Sequence, residues 1–300
     1  MVVRVLSSCL VAPEEETPRR PIWLSTLDLF QIRSHVPTVY FYRPPIQGDG
    51  SGFFSPEVLK AGLRKALVPF YLFAGRLGTD DSGRTEIECN GKGVLFVEAK
   101  AEELTVDKFG DFAPSPEYRR LLIPTVDPDE GDDAIPLLLL QVLWHSNCCG
   151  GVCLGVGVHH LVSDGVASLL FINAWSDITR GIEPAVPPFL DRSLLLPRSP
   201  PSVRFPHVEF KRYAAGIHTY ADMPAISTSI LEVTADQIAA LKRSCAATMP
   251  SPRRVTTYEA VAAHVWRQTC MARRLDAHSE TRVYITTDAR RRCRRATSVT

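Results

Sequence analysis

Residues 151–182 read GVCLGVGVHHLVSDGVASLLFINAWSDITRGI, and the period of the apolar residues changes halfway through. Val152, Leu154, Val156 and Val158 alternate, which is the pattern of a strand with one face in a core, and His160 falls in the same phase. Gly155 and Gly157 leave the opposite face without side chains, so that face admits a close neighbour or a ligand. From Ser163 and Asp164, either of which can cap a helix, Val166, Leu169, Leu170, Asn173, Ala174 and Asp177 recur at intervals of three and four. The stretch is therefore a strand, a tight turn and a helix, with His160 at the turn.

The flanking sequence extends the alternation of strands and helices. Upstream, the apolar run 137–144 reads as a buried strand, and Cys-Cys-Gly-Gly turns it back toward residue 152. Residues 55–67, SPEVLKAGLRKAL, open with a capping serine and a proline at the first helical position, predicting an amphipathic helix. In residues 75–99, GRLGTDDSGRTEIECNGKGVLFVEA, the turn residues Asp-Ser-Gly and Asn-Gly-Lys-Gly separate three short runs, which predicts two successive hairpins. Downstream, Pro184, Pro187, Pro188, Pro197, Pro200, Pro201 and Pro206 exclude regular structure and mark a crossover. Beyond it, ISTSILEV (226–233) and TRVYITTD (281–288) read as strands, and TADQIAALKRSCA and TTYEAVAAHVWRQTCMARRL as helices. The expected division is an N-terminal domain over 1–182, a linker over 183–224 and a partial C-terminal domain over 225–300.

Composition restricts the class of protein. Of 300 residues 45% are hydrophobic and 22% charged, enough for a core and too apolar for a disordered chain. Thirty-four Lys and Arg against 33 Asp and Glu give a net charge of +1, so no overall field favours nucleic acid or an anionic membrane. No window approaches the about eighteen apolar residues of a membrane span. The N-terminal apolar run lacks a basic start and a small-residue cleavage site, so it reads as a first strand, not a signal peptide. Eight cysteines without a CxxC pair are expected to be reduced thiols in a cytoplasmic protein.

The chemistry concentrates in HLVSDG, residues 160–165. Histidine is the side chain whose ordinary titration range brackets neutral pH, which suits a general base at a strand end. The plainer reading is a core histidine with its hydrogen bonds satisfied. A serine hydrolase is disfavoured because GxSxG is missing and Ser163 sits at the helix cap. Zinc is disfavoured as well: adjacent His159 and His160 face opposite ways, and neither HExxH nor a cysteine cluster completes a site.

These residues resemble the plant acyl-CoA-dependent acyltransferases of the BAHD type, which carry HxxxD followed by Gly. The likeness runs along the chain through WLSTLDL, VYFYRP, ALVPFYLFAGRL, EIECNGKGVLFVEA, FGDFAPSPE, PLLLLQV, PPFLDRSLL, PPSVRFPHVEF, TTYEAVAAHVWR and VYITTDAR, and is nearest the hydroxycinnamoyl-CoA shikimate/quinate branch. It implies a two-domain α/β fold like that of chloramphenicol acetyltransferase, with mixed sheets and an incomplete second domain. It implies transfer of a hydroxycinnamoyl group from CoA to a small-molecule acceptor, with no bound cofactor, metal, nucleic acid or membrane partner, by a monomer. His160 would be the base, and Asp164 a structural support paired with Arg290. CoA would be bound along Thr256, Thr257, Thr286, Thr287, Asp288 and Arg290, where guanidinium suits phosphate. His35, Thr38 and Tyr40 would line the substrate pocket, while Val36 replaces the hydroxyl residue usual there, which leaves the acceptor open.

Relatives in this family run well past Thr300 and carry a DFGWG motif, whereas this chain ends ARRRCRRATSVT. The expectation is a frameshift between about Asp288 and Arg292: suitable codons for Arg292 to Thr300, read from the third base, give Leu-Pro-Pro-Gly-Tyr-Phe-Gly-Asn, which the family has here. Genomic sequence across the Asp288 codon tests this, since a stop or an unrelated sequence in that frame refutes it. The alternative to an enzyme is a non-catalytic fragment or pseudoenzyme of the same family.

Overall fold

The computed structural model describes residues 3–44, 52–101, 106–110, 112–145, 151–197, 199–207, 228–247 and 253–290. The chain divides into two compact units, one reaching Thr228 and the other Ser229–Arg291. In the first unit, β1 (Val3–Val11), β6 (Val94–Ala101), β7 (Leu138–His145), β8 (Val152–His159) and β3 (His35–Tyr42) form a five-stranded sheet in the order β1-β6-β7-β8-β3. The β6–β7 pair is parallel and the others antiparallel, so the sheet is mixed, as expected. A second sheet joins β2 (Ile22–Trp23), β5 (Thr85–Glu88) and β4 (Arg76–Thr79) in the order β2-β5-β4.

Helices cover both faces of the larger sheet. On one face α2 (Pro56–Ala66) and α4 (Gly165–Thr179) pack with Val152, Leu154, Val156 and Val158 of β8 into the main core, together with Phe70, Phe73 and Phe171. Ser55 caps α2 through its hydroxyl, with Pro56 at the first position, as its sequence requires. The opposite face carries α3 (Pro116–Leu122), and Phe109, Leu122, Leu143 and Cys153 form a smaller core there. A short helix α1 (Thr26–Leu29) is closed by a capping box between Ser25 and Asp28. None of the helices among the described residues is long and apolar enough to cross a membrane.

Three expectations are corrected. The buried stripe of α4 is Phe171, Ile172, Ala174 and Trp175, whereas Val166 and Leu169 are half exposed and Asn173 is exposed. Both stripes have helical spacing, and the aromatic one is buried because it removes more surface from water: Phe171 meets Phe70 and Phe73, and Trp175 Nε1 donates to Leu59 O of α2 at 3.0 Å. Of the two hairpins only β4–β5 forms. β6 leaves β5 and enters the larger sheet, because Val94, Phe96, Val97, Ala99 and Ala101 are apolar on both faces, and only an interior strand buries both. Gly93, at φ 97°, makes the redirection, and a Cβ there would stand 2.7 Å from Val11 O.

The third correction concerns the second unit, whose described elements are the helices α5 (Ala235–Ala247) and α6 (Thr257–Ala272). The parts of ISTSILEV and TRVYITTD that fall among the described residues are not strands, and Leu231 and Tyr284 are 84% and 64% exposed. Alternation makes a segment suited to a sheet, but a strand exists only where another strand offers it a ladder. Residues 226, 227, 248–252 and 291–300, which include part of the proposed strand and the arginine-rich end, lie outside the described residues, as do Cys148 and Cys149.

Among the described residues Arg76 is the largest fully buried side chain, 1% exposed. Its Nη1 donates to Gly75 O and Gly93 O at 2.7 and 2.8 Å, and its Nε to Ala134 O at 3.1 Å, so one guanidinium joins the smaller sheet to the turn entering β6. Arg76→Leu leaves those carbonyls without their donor in a dry site. Unfolding in urea is expected to show a loss of about 3 kcal/mol, and a loss below about 1 kcal/mol contradicts this account.

Candidate active site

The ladder between β3 and β8 pairs His35 with His159, Val36 with Val158, Thr38 with Val156 and Tyr40 with Leu154. It runs one bond further, His160 N donating to Ser34 O at 3.1 Å. There the chain turns, Val162 N donating to His159 O at 3.0 Å, and α4 begins. His160 occupies the second position of that turn, fixed through its backbone from both sides. Its ring is half-buried, and Nδ1 is fully covered with no hydrogen-bond partner among the described residues. That leaves Nε2 as the nitrogen that can meet a ligand.

Asp164 is the N-cap of α4, its Oδ1 accepting from Ala167 N at 2.9 Å. This cap orients the first turn of α4 behind the histidine. Ser163 Oγ shares a hydrogen bond of 3.0 Å with Ser168 Oγ, a helix-end contact that gives it no base.

Period-two alternation places Val36, Thr38 and Tyr40 on the face of Val158 and Val156, the face His160 continues, and puts His35 on the other face. Thr38 is exposed, and burial raises the Tyr40 pKa above its ordinary value. His35 is buried, its ring nitrogen Nε2 2.8 Å from Pro136 O, and its ring meets His159 edge-on at 5.2 Å. Its carbonyl accepts from Arg119. Of the expected pocket residues, Thr38 and Tyr40 thus share a face with His160, and His35 supports the strand from behind.

His159 was legible in the sequence only as a weak metal candidate, and no group of metal-binding side chains is found among the described residues. In the structure it is 5% exposed, and its pKa is pushed down to about 4, first by burial and then by His35 and Arg33, with His160 adding to the effect and Asp132 opposing it. Burial likewise lowers His35. Neutral when folded and free to protonate near 6.5 when unfolded, His159 contributes stability that is complete above pH 6.5 and declines as the pH falls toward 4. The loss is on the order of 3 kcal/mol. Urea midpoints between pH 7.5 and 4.5 should fall steeply, and His159→Gln should flatten the fall; an equally steep fall in the variant rejects the assignment.

A cavity of about 630 Å³ also lies behind β3, walled by Val39, Phe41, Phe109, Phe112, Tyr118 and Leu122. Its walls come from β3, residues 109–112 and α3, so no single segment of sequence announces it.

In the second unit Thr256 caps α6 in a capping box with Glu259, and Thr257 is the first helical residue. Thr286, Thr287, Asp288 and Arg290 lie in an exposed segment without regular structure, where Arg290 Nη1 pairs with Asp288 Oδ1 at 3.0 Å.

Known proteins resemble this chain over nearly its whole length. The sequence pattern of the Transferase family matches residues 1–298. The shikimate O-hydroxycinnamoyltransferase of Nicotiana tabacum is 46% identical over 300 residues, covering 98% of this chain and 67% of its own. A hydroxycinnamoyl-CoA:5-hydroxyanthranilate N-hydroxycinnamoyltransferase of Avena sativa is 44% identical over 305 residues, 97% of this chain and 68% of its own. Among solved structures, vinorine synthase superposes with a TM-score of 0.64 at 21% identity, over 93% of this chain and 63% of that one, a likeness of fold. The chain spans about two thirds of the length of the curated relatives it matches. With its HxxxDG turn at the end of β8, its mixed α/β fold and this match from end to end, the chain belongs to the Transferase family, the BAHD acyltransferases its motifs resemble.

Proposed function

We propose that the protein is a CoA-dependent acyltransferase that moves a hydroxycinnamoyl group from its thioester to the hydroxyl or amine of a small acceptor, with His160 as general base. One observation carries the reading: His160 sits in a turn held from both sides, with Nδ1 covered and the ring half open. The plainer alternative, a core histidine, is what His159 is at 5% exposure; what sets His160 apart is that its ring stays only half-buried at the turn.

The reaction follows from that placement. The acceptor O–H or N–H gives its proton to His160 Nε2 as its lone pair attacks the thioester carbonyl carbon. The tetrahedral intermediate collapses, the C–S bond breaks, and the imidazolium returns the proton to the departing CoA sulfur. An alkyl thiol of pKa about 8.5 leaves readily, so one histidine serves both steps. Thr38 and Tyr40, on the same sheet face as His160, supply hydroxyls for orienting a polar acceptor, and Thr256, Thr257 and Thr286 to Arg290 are the proposed CoA contacts. The relatives are named for both an alcohol and an aromatic amine as acceptor, so shikimate, quinate and 5-hydroxyanthranilate are the acceptors to compare.

The test is loss of the thioester absorbance of p-coumaroyl-CoA with each acceptor in turn. Turnover that requires an acceptor supports the proposal. Soluble, folded protein that turns over none of them favours the non-catalytic reading.

A further inference from the structure

We infer that Arg192 is a positioning residue for His160: it fixes the turn that carries the base by joining it to the N-terminus of α1. The inference rests on the reading of His160 as the base and adds to it a residue outside the HxxxDG motif.

Arg192 precedes a single helical turn, Ser193–Leu195, in the proline-rich stretch after α4. Its Nη2 donates to Val162 O at 2.6 Å. Val162 is the residue whose N–H closes the turn on His159 O, so the bond holds the carbonyl end of the same peptide unit series that contains His160. Its Nη1 stands 3.0 Å from Asp28 Oδ2, an ion pair off the hydrogen-bond axis, since this buried nitrogen makes no hydrogen bond. The two side chains are only 17% and 23% exposed, so the pair is shielded from solvent. Asp28 is itself fixed, its Oδ2 accepting from Ser25 N and Ser25 Oγ at 2.8 and 2.7 Å.

The path from Ser25 through Asp28 and Arg192 to Val162 therefore adds a side-chain brace to a turn whose backbone is tied to Ser34 O and closed by Val162 N on His159 O. Leu161 and Val162 are each 2% exposed, which anchors the turn's far half, but the position of the imidazole depends on the rotation of the turn about that anchor. A planar guanidinium spans a carbonyl and a carboxylate at once. An ammonium reaches one of them.

The test uses the full chain with histidine carrying carbon-13 at Cε1, the His160 signal being assigned by its loss in His160→Ala. Arg192→Met is expected to shift or broaden that signal with the circular dichroism unchanged, and to lower kcat by about tenfold to a hundredfold while KM for the acyl-CoA changes by less than about twofold. Arg192→Lys should recover part of both effects. An unmoved His160 signal in Arg192→Met, or a rise in KM at constant kcat, overturns the inference. Should Arg192→Met fail to fold, Asp28→Asn decides: a smaller displacement of the same signal supports the brace, and an unmoved signal rejects it. If the unaltered protein turns nothing over, the proposed function fails, and the ring signal still decides the placement of the turn.

Discussion

His160→Ala is expected to lower kcat by about two to four powers of ten while leaving KM for the acyl-CoA nearly unchanged. An alcohol is a weak nucleophile, and its attack on a thioester develops positive charge on oxygen unless a base removes the proton as the bond forms. Alanine takes away the only histidine nitrogen that the turn leaves open, since His159 is 5% exposed and His35 is engaged with Pro136. KM for the acyl-CoA should follow the proposed contacts of its CoA and acyl portions, which do not include the substituted imidazole. The measurement is the initial rate of thioester loss at saturating p-coumaroyl-CoA and acceptor, compared with a matched circular dichroism spectrum. A variant within tenfold of the unaltered rate removes His160 from the chemistry. An amine acceptor, more nucleophilic when neutral, should lose less than an alcohol does, so the ratio of the two losses reports on the base in particular.

Much of this was legible in the sequence, and what was not has a physical cause. The change from period two to period 3.6 at residues 151–182 placed β8, the turn and α4, because one residue type pattern is compatible with one backbone. Ser55-Pro56, Asp164 and Thr256 marked helix starts where the structure has them, since a cap is a local interaction that needs no partner from elsewhere. The failures are all nonlocal. Whether β6 returns beside β5 or crosses to β7 depends on which sheet has an interior place, and whether residues 228–233 and 281–288 form strands depends on an edge to pair with. At the site, the motif gave His160 and Asp164, and the likeness of residues 35–40 to a family pocket wall gave His35, Thr38 and Tyr40. The burial of His159 and the brace through Arg192 could not be read, because residues 28, 162 and 192 are brought together only by the fold.

Gly155→Ala should unfold the first unit or cost it about 3 kcal/mol or more, the upper end of what an inserted methyl does in a packed core. A Cβ on residue 155 would stand 1.7 Å from Leu122 O and 2.8 Å from its carbonyl carbon, backbone atoms at the C-terminal end of α3. A side chain in the way can change rotamer, but a helix end must translate as a body. α3 cannot do so freely: Arg119 is bonded to His35 O, and Leu121 O accepts from the buried Gln141 side chain at 2.7 Å. Gly157, two residues along on the same face, provides the control. Its Cβ would meet Ile123 Cγ2 at 3.3 Å and Leu139 Cβ at 3.4 Å, side-chain atoms that yield by a few tenths of an ångström, so Gly157→Ala should cost less than about 1 kcal/mol. Urea unfolding of the two variants separates the cases, and equal losses contradict the argument. The functional consequence follows the same order. α3 displaced from β8 disturbs the strand that ends in His159 and leads into the turn of His160, so whatever fraction of Gly155→Ala folds should also show a disturbed His160 environment, whereas Gly157→Ala should keep the turn and its chemistry intact.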